Sequence, residues 1–117
     1  MPARDIFHKA EVYRQIIREV LREYAQYRPA SGDIELETVF DAESDHYELL
    51  AVGWRGKQRV HGCVIHADIR DDKVWLQHDS TDAAIADQLV ERGIPAEDIV
   101  LGFQPEHIRH YSGFAVQ

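Results

Sequence analysis

The stretch "HGCVIHADI", residues 61–69, places His61, Cys63, His66 and Asp68 within eight positions, and each of these side chains can ligate a transition metal or carry a proton. What they can do together depends on where each one points. Read as a strand with strict alternation, the stretch sends His61 and Cys63 to one face with Ile65, Ala67 and Ile69. His66 and Asp68 then go to the other face with Val60 and Val64. A zinc site needs three or four protein ligands at about 2.0–2.3 Å, so this stretch alone supplies at most half a site to either face. His46, His78 and Asp79 are the only other obvious donors, and no HExxH or paired Cys-x-x-Cys spacing occurs. The expectation is no bound metal and no cofactor. His66 and Asp68, two apart, can also pair as a base and its orienting carboxylate, but a nucleophile is missing. Cys63 is expected on the opposite face, and Ser80 or Thr81 would have to fold back over the sheet to complete a triad. His107 and His110 share i, i+3 spacing without a carboxylate partner in the same segment, and "YSGF" lacks the nucleophile-elbow pattern. No glycine-rich phosphate loop occurs. No catalytic residue is assigned.

These residues are positioned by elements whose hydrophobic periods are clear. From Ile6 to Tyr27 the apolar residues Ile6, Ala10, Tyr13, Ile17, Val20, Leu21, Tyr24 and Tyr27 recur at steps of three and four, which predicts an amphipathic helix stopped by Pro29. The period then changes to two: in "DIELETVF" Ile34, Leu36, Thr38 and Phe40 alternate with Asp33, Glu35, Glu37 and Val39. "HYELLAVGW", "QRVHGCVIHADI" and "KVWLQHD" read as three further strands. The connectors "FDAESDHY", "RGK" around Gly56 and "RDDK" are short, so neighbouring strands should pair antiparallel as a meander. "STDAAIADQLVERGIP" predicts a second, shorter helix with Ser80 or Thr81 as N-cap, Ile85, Ala86, Leu89 and Val90 on one side, and Gly93 and Pro95 as stop signals. Pro95 and Pro105 can each open a helical turn at its first position, with "IVLGF" extended between them. The expected fold class is α+β: an N-terminal helix packed on a four-stranded, or five-stranded, antiparallel meander sheet, followed by short C-terminal helices.

The chain of 117 residues has the size of one domain, so residues 1–117 form a single unit. Its composition, 44% hydrophobic and 29% charged, is that of a globular protein rather than a disordered one. The start, "MPARDIFHKAEVYRQII", has no apolar run of the kind a signal peptide needs, and no later stretch is long enough to span a bilayer. A lone Cys63 forms no internal disulfide, and a cytoplasmic location is expected. The formal charge of -8 opposes binding to phosphate backbones. The exception to weigh is a stripe of Arg14, Arg18, Arg22 and Arg28, of which the first three share a helical face. Glu11, Glu19 and Glu23 are expected to balance it.

The segments "EVYRQIIREVLREYAQY", "FDAESDHYELLAVGW", "RVHGCVIHADIRDDKVWLQHDSTDAAIADQLVERGIPAEDIVLGF" and "YSGFAVQ" together resemble the XisI family, the fdxN-element excision controlling factors. The resemblance is colinear over nearly the whole chain; "QPEHIRH" is its least similar part. It implies a control role in the programmed excision of a DNA element during heterocyst differentiation in cyanobacteria, beside a recombinase and a companion protein, XisH. It implies no catalytic residues. Two readings follow. In one the protein is a non-catalytic regulator acting through an XisH-like partner, its acidity suiting a basic, DNA-handling protein. In the other it is a DNA-contacting recombination accessory factor. A small hydrolase using His66 and Asp68 is a third. For partner binding the candidate anchors are Phe103, His107, Arg109, Tyr111 and Phe114, because aromatic residues and Arg are enriched at interface centres. The edge strands of a meander could in addition pair two copies into a homodimer.

Overall fold

In a computed structural model the backbone is described over residues 2–27 and 32–117, and side chains from residue 8 onward within those ranges. Ile6, as a side chain, and Arg28 and Pro29 lie outside the described residues. The element order is α1 (Pro2–Tyr24), β1 (Asp33–Asp41), β2 (His46–Arg55), β3 (Gln58–Arg70), β4 (Lys73–Asp79), α2 (Ile85–Glu91) and β5 (Ile99–Leu101), with short 3₁₀ segments at Ala96–Asp98 and Glu106–Tyr111. The α+β class stands. Among the described residues, no helix is long and apolar enough to cross a membrane.

Strands β1 to β4 form the expected antiparallel meander. Two-residue turns join β2 to β3 and β3 to β4, and the second has Asp71 and Asp72 at φ 51° and 62°. Positive φ at both central residues is what a type I′ hairpin turn requires, and Asp tolerates it. β5 departs from the expectation. It lies beside β4 but runs parallel to it, so the sheet is mixed. The reason is the connection: residues 80–98 contain a helix, long enough for the crossover that a parallel neighbour needs. The free side of β5 is closed by the chain end, where Ala115 N–H donates to the Ile99 carbonyl at 2.8 Å and Ala115 bridges Val100.

One sheet face is dry. Tyr13, Ile16, Ile17, Val20 and Leu21 of α1 bury against Tyr47 and Leu49 of β2, Ile65 and Ala67 of β3, and Val74 and Leu76 of β4, with Ile85 and Leu89 of α2 closing the layer. Ile16 joins this face and Tyr27, 64% exposed beyond the helix end, does not. α2 also differs at its ends. Neither Ser80 nor Thr81 caps it; Asp79 Oδ2 accepts from the Ile85 N–H at 3.2 Å, while its Oδ1 holds the Thr81 N–H at 2.9 Å and the Thr81 hydroxyl at 2.6 Å. Val90 points to solvent. Gly93, at φ 116°, ends the helix as expected, letting the Ile94 N–H reach back to the Leu89 carbonyl at 3.0 Å.

Two carboxylates outside the helix, Asp45 and Asp98, hold α1 to the rest. Arg14 reaches both oxygens of Asp45, at 2.7 and 3.2 Å, and the Tyr47 hydroxyl donates to Asp45 Oδ1 at 2.9 Å. Asp98, at the end of the crossover, accepts from the Tyr13 hydroxyl and pairs with Lys9 Nζ at 2.8 Å. Burial pushes both carboxyls up, but the donors around them outweigh it and hold each below the ordinary carboxylate value. Tyr47, buried and facing Asp45, is pushed up to about 12.

Because each folded carboxyl sits lower than its unfolded value of 3.8, its contribution to stability is full above that pH and is lost as pH falls through the folded value. Asp45→Asn should therefore lower stability at pH 7 by roughly 1.5–3 kcal/mol, the range for a hydrogen bond to a charged group. It should also flatten the acid-side loss. Urea unfolding at a series of pH values measures both, and parallel acid limbs for the two proteins would contradict the assignment.

Candidate functional site

The sheet face turned away from α1 carries the chemistry. Its composition follows from an irregularity in β3: Leu49 pairs with Ile65, but Leu50 pairs with Cys63, which leaves Val64 as an extra residue. A bulge of this kind shifts every later side chain to the opposite face. Before the bulge, Arg59, His61 and Cys63 pair with Trp54, Val52 and Leu50; after it, His66 and Asp68 pair with Glu48 and His46. All of these lie on the outer face, while Ile65 and Ala67 pair with Leu49 and Tyr47 on the core side. The dispersal of His61, Cys63, His66 and Asp68 over two faces, expected from strict alternation, is thus corrected. The reason is the single inserted residue.

The result is a compact cluster. His46 Nδ1 and His66 Nε2 both approach Asp68 Oδ1 at 2.7 Å. An ionised carboxylate only accepts, so each facing ring nitrogen donates its N–H. The Gln77 amide donates to the other oxygen, Oδ2, at 3.3 Å. Gln77 is itself the extra residue of a second bulge, since His66 pairs with His78 but Ala67 with Leu76. It lies against Gly102, where a Cβ would come within 2.4 Å of its Oε1. Behind His66, Glu48 Oε1 stands 3.6 Å from Nδ1. The Asp68 side chain is only 7% exposed, that of His66 27% and that of His46 56%, so the cluster is buried at its carboxylate and open at one imidazole. The hydrogen bond to Asp68 and its charge raise the His46 value above the ordinary one for histidine. Two surface clefts, of about 410 and 370 Å³, lie elsewhere: neither is lined by these three side chains.

Strict alternation along β3 points to His66 and Asp68, with His46 as a further donor, but does not bring the three together. Glu48 and Gln77 went unnoticed. Cys63 shares the outer face, yet its thiol is pushed up by burial and by Glu48, the reverse of what a nucleophile needs. Ser80 is engaged elsewhere, its hydroxyl donating to the Val64 carbonyl at 3.1 Å.

The five candidate anchors separate into two groups. Phe103 is 49% exposed and Tyr111 80%, with the His110 ring centroid 3.9 Å from that of Tyr111. His107 is exposed on the 3₁₀ turn Glu106–Tyr111. Arg109 and Phe114 turn inward. Arg109 Nε donates to the Gln104 carbonyl at 3.0 Å and NH1 to the Val116 carbonyl at 3.1 Å, and the guanidinium lies 5.3 Å from the Trp75 ring centroid. Phe114 packs against the core. The helical arginines are also engaged: Arg14 with Asp45 and Glu11, Arg18 with Glu11, Arg22 over the Phe40 ring. Glu19 and Glu23 pair instead with Arg92 of the second helix's end.

Comparison with known proteins bears on the whole of this arrangement. No curated protein matches the chain. The crystal structure of a XisI-like protein from Anabaena variabilis is similar at 41% identity and a TM-score of 0.83, over 90% of this chain and 96% of that one. The crystal structure of the fdxN element excision controlling factor XisI from the same organism is similar at 33% identity and a TM-score of 0.80, over 93% and 99%. The family model described as XisI protein matches residues 7–116, and with every strand of the sheet, α2 and most of α1 inside that match, the chain belongs to the XisI family.

Proposed function

We propose that this protein is a non-catalytic factor controlling the programmed excision of a DNA element in a cyanobacterial setting, and that it acts by binding an XisH-like protein. The observation that carries the reading is the end-to-end similarity to a protein named as an fdxN element excision controlling factor. Three features of the chain support the protein-contact form of it. The formal charge is -8, which suits a basic partner better than a phosphate backbone. The arginine stripe on α1, which a DNA-contacting accessory factor would need, is committed to Glu11, Asp45 and Phe40. Among the described residues, no nucleophile faces the His66–Asp68 pair, since Ser80 is bonded to the backbone and Cys63 is held protonated. That weighs against the hydrolase reading.

The C-terminal segment supplies the docking surface in this proposal. Phe103, His107 and Tyr111 present polar-tipped or aromatic groups to solvent, whereas Arg109 and Phe114 hold the segment to the sheet. The two groups should part experimentally. Phe103→Ala and Tyr111→Ala are expected to weaken capture of a co-expressed XisH-like protein by about 1–2 kcal/mol each while leaving the melting temperature in place. Arg109→Ala should lower the melting temperature by several degrees, consistent with losing roughly 1–3 kcal/mol of charge-assisted hydrogen bonding. Full capture by the stable Phe103→Ala, Tyr111→Ala double variant would move the docking surface elsewhere.

For nucleic acid the expectation is that the free protein shifts duplex DNA no better than an unrelated acidic protein at physiological salt. A gel-shift titration against salt reads this directly. Salt-sensitive binding that Arg18→Ala and Arg22→Ala abolish would favour the accessory-factor reading instead.

A further inference from the structure

We propose that His46, His66 and Asp68 form a binding site for one divalent transition-metal ion of the zinc class, on the outer face of the sheet. The inference is independent of the family's role in excision. It rests on four observations. The three donor atoms lie within 4.8 Å of one another, and they come from two adjacent strands whose register fixes them. Two imidazoles and one carboxylate make an N₂O donor set, which suits zinc and its first-row neighbours rather than magnesium or calcium. The set leaves a fourth position open toward solvent, on the side where His46 is exposed.

The remaining observation is the support behind the ligands. Glu48 stands behind the far nitrogen of His66, the arrangement in which a carboxylate orients a metal-bound histidine, and the Gln77 amide holds the second oxygen of Asp68. Outer contacts of this kind fix rings and carboxylates in place before an ion arrives. In the present geometry the two rings close on Asp68 Oδ1 at 2.7 Å. Tetrahedral coordination at about 2.0–2.1 Å requires all three donors a little over 3 Å apart, so each ring backs away from Oδ1 by roughly half an ångström while the two ring nitrogens, now within 4.8 Å, settle at that same separation. The proton balance is simple. A neutral ring moves its hydrogen to the other nitrogen, His66 to Nδ1 facing Glu48 and His46 to Nε2 facing solvent, and a charged ring releases one proton to water.

The test uses the full chain stripped with a chelator and titrated with Zn²⁺ by calorimetry, and with Co²⁺ by visible absorption. One ion per chain is expected, with Co²⁺ giving the intense bands of a tetrahedral N/O site. His46→Ala, at a mostly exposed position, should keep the fold and weaken binding tenfold or more. Glu48→Gln should weaken it by roughly tenfold, the lower end for loss of an outer contact. His107→Ala with His110→Ala should change nothing. Absence of stoichiometric binding, or binding that survives both His46→Ala and His66→Ala, would overturn the proposal; in the second case the ion sits on other surface histidines.

Discussion

The arrangement of the outer face depends on one extra residue in the β2–β3 hairpin. The two-residue turn at Gly56 and Lys57 pairs Arg55 with Gln58, and regular pairing from there would set Tyr47 opposite His66 and His46 opposite Ala67. That register would drive His66 and Asp68 into the dry face beside Tyr47 and Leu49, and would expose Ile65, Ala67 and Ile69. Burying one ionised carboxylate without partners costs several kcal/mol. A bulge at Val64 costs one ladder position. The hydrophobic demand of the core therefore sets the register, and the alignment of His46 with Asp68 is its by-product.

The second bulge, at Gln77, works in the same direction. It keeps Trp75 and His78 on the outer face while Leu76 pairs with Ala67 on the core side. The freed Gln77 side chain turns onto Asp68, in space left by Gly102. A buried Asp with a hydrogen bond to each oxygen is stable where a lone one would not be. The guanidiniums of Arg109 and Arg70 both approach the neighbouring Trp75, at 5.3 and 4.9 Å from its ring centroid. The cluster and the C-terminal clamp are thus adjacent on one sheet, and both depend on β4 keeping its place.

The α+β class, the helix over the core and the four-strand meander were legible because period and turn chemistry act locally: Ile17, Val20 and Leu21 mark a helical stripe, and the paired Asp71 and Asp72 mark a tight turn whatever surrounds them. The parallel β5 was half legible. "IVLGF" reads as extended, but its direction depends on how the α2 crossover packs, which no local pattern states. The cap of α2 was misread for a related reason: Asp79 serves it from the end of a strand, six residues before Ile85.

The site was less legible, and the cause is instructive. The assumption of strict alternation along β3 used one strand at a time. Two strands together contain the correction, since the hairpin turn assigns partners by counting, and Tyr47 and Leu49 can match Ile65 and Ala67 only if one residue of β3 is skipped. The apolar pattern of "CVIHADI" against "HYELLA" thus implies a bulge between Cys63 and Ile65. With it in place, His46 falls opposite Asp68 and Glu48 opposite His66, and four of the five groups in the cluster share one face. Only Gln77 requires the structure itself, because its contact arises from a second irregularity in β4 that no hairpin count predicts. Arg109 is the converse case. Its composition marks an interface anchor, but two backbone carbonyls, of Gln104 and Val116, lie within its reach and would otherwise be left to solvent. A residue type enriched at interfaces acts as a clamp wherever unpaired carbonyls of its own chain stand closer than any partner.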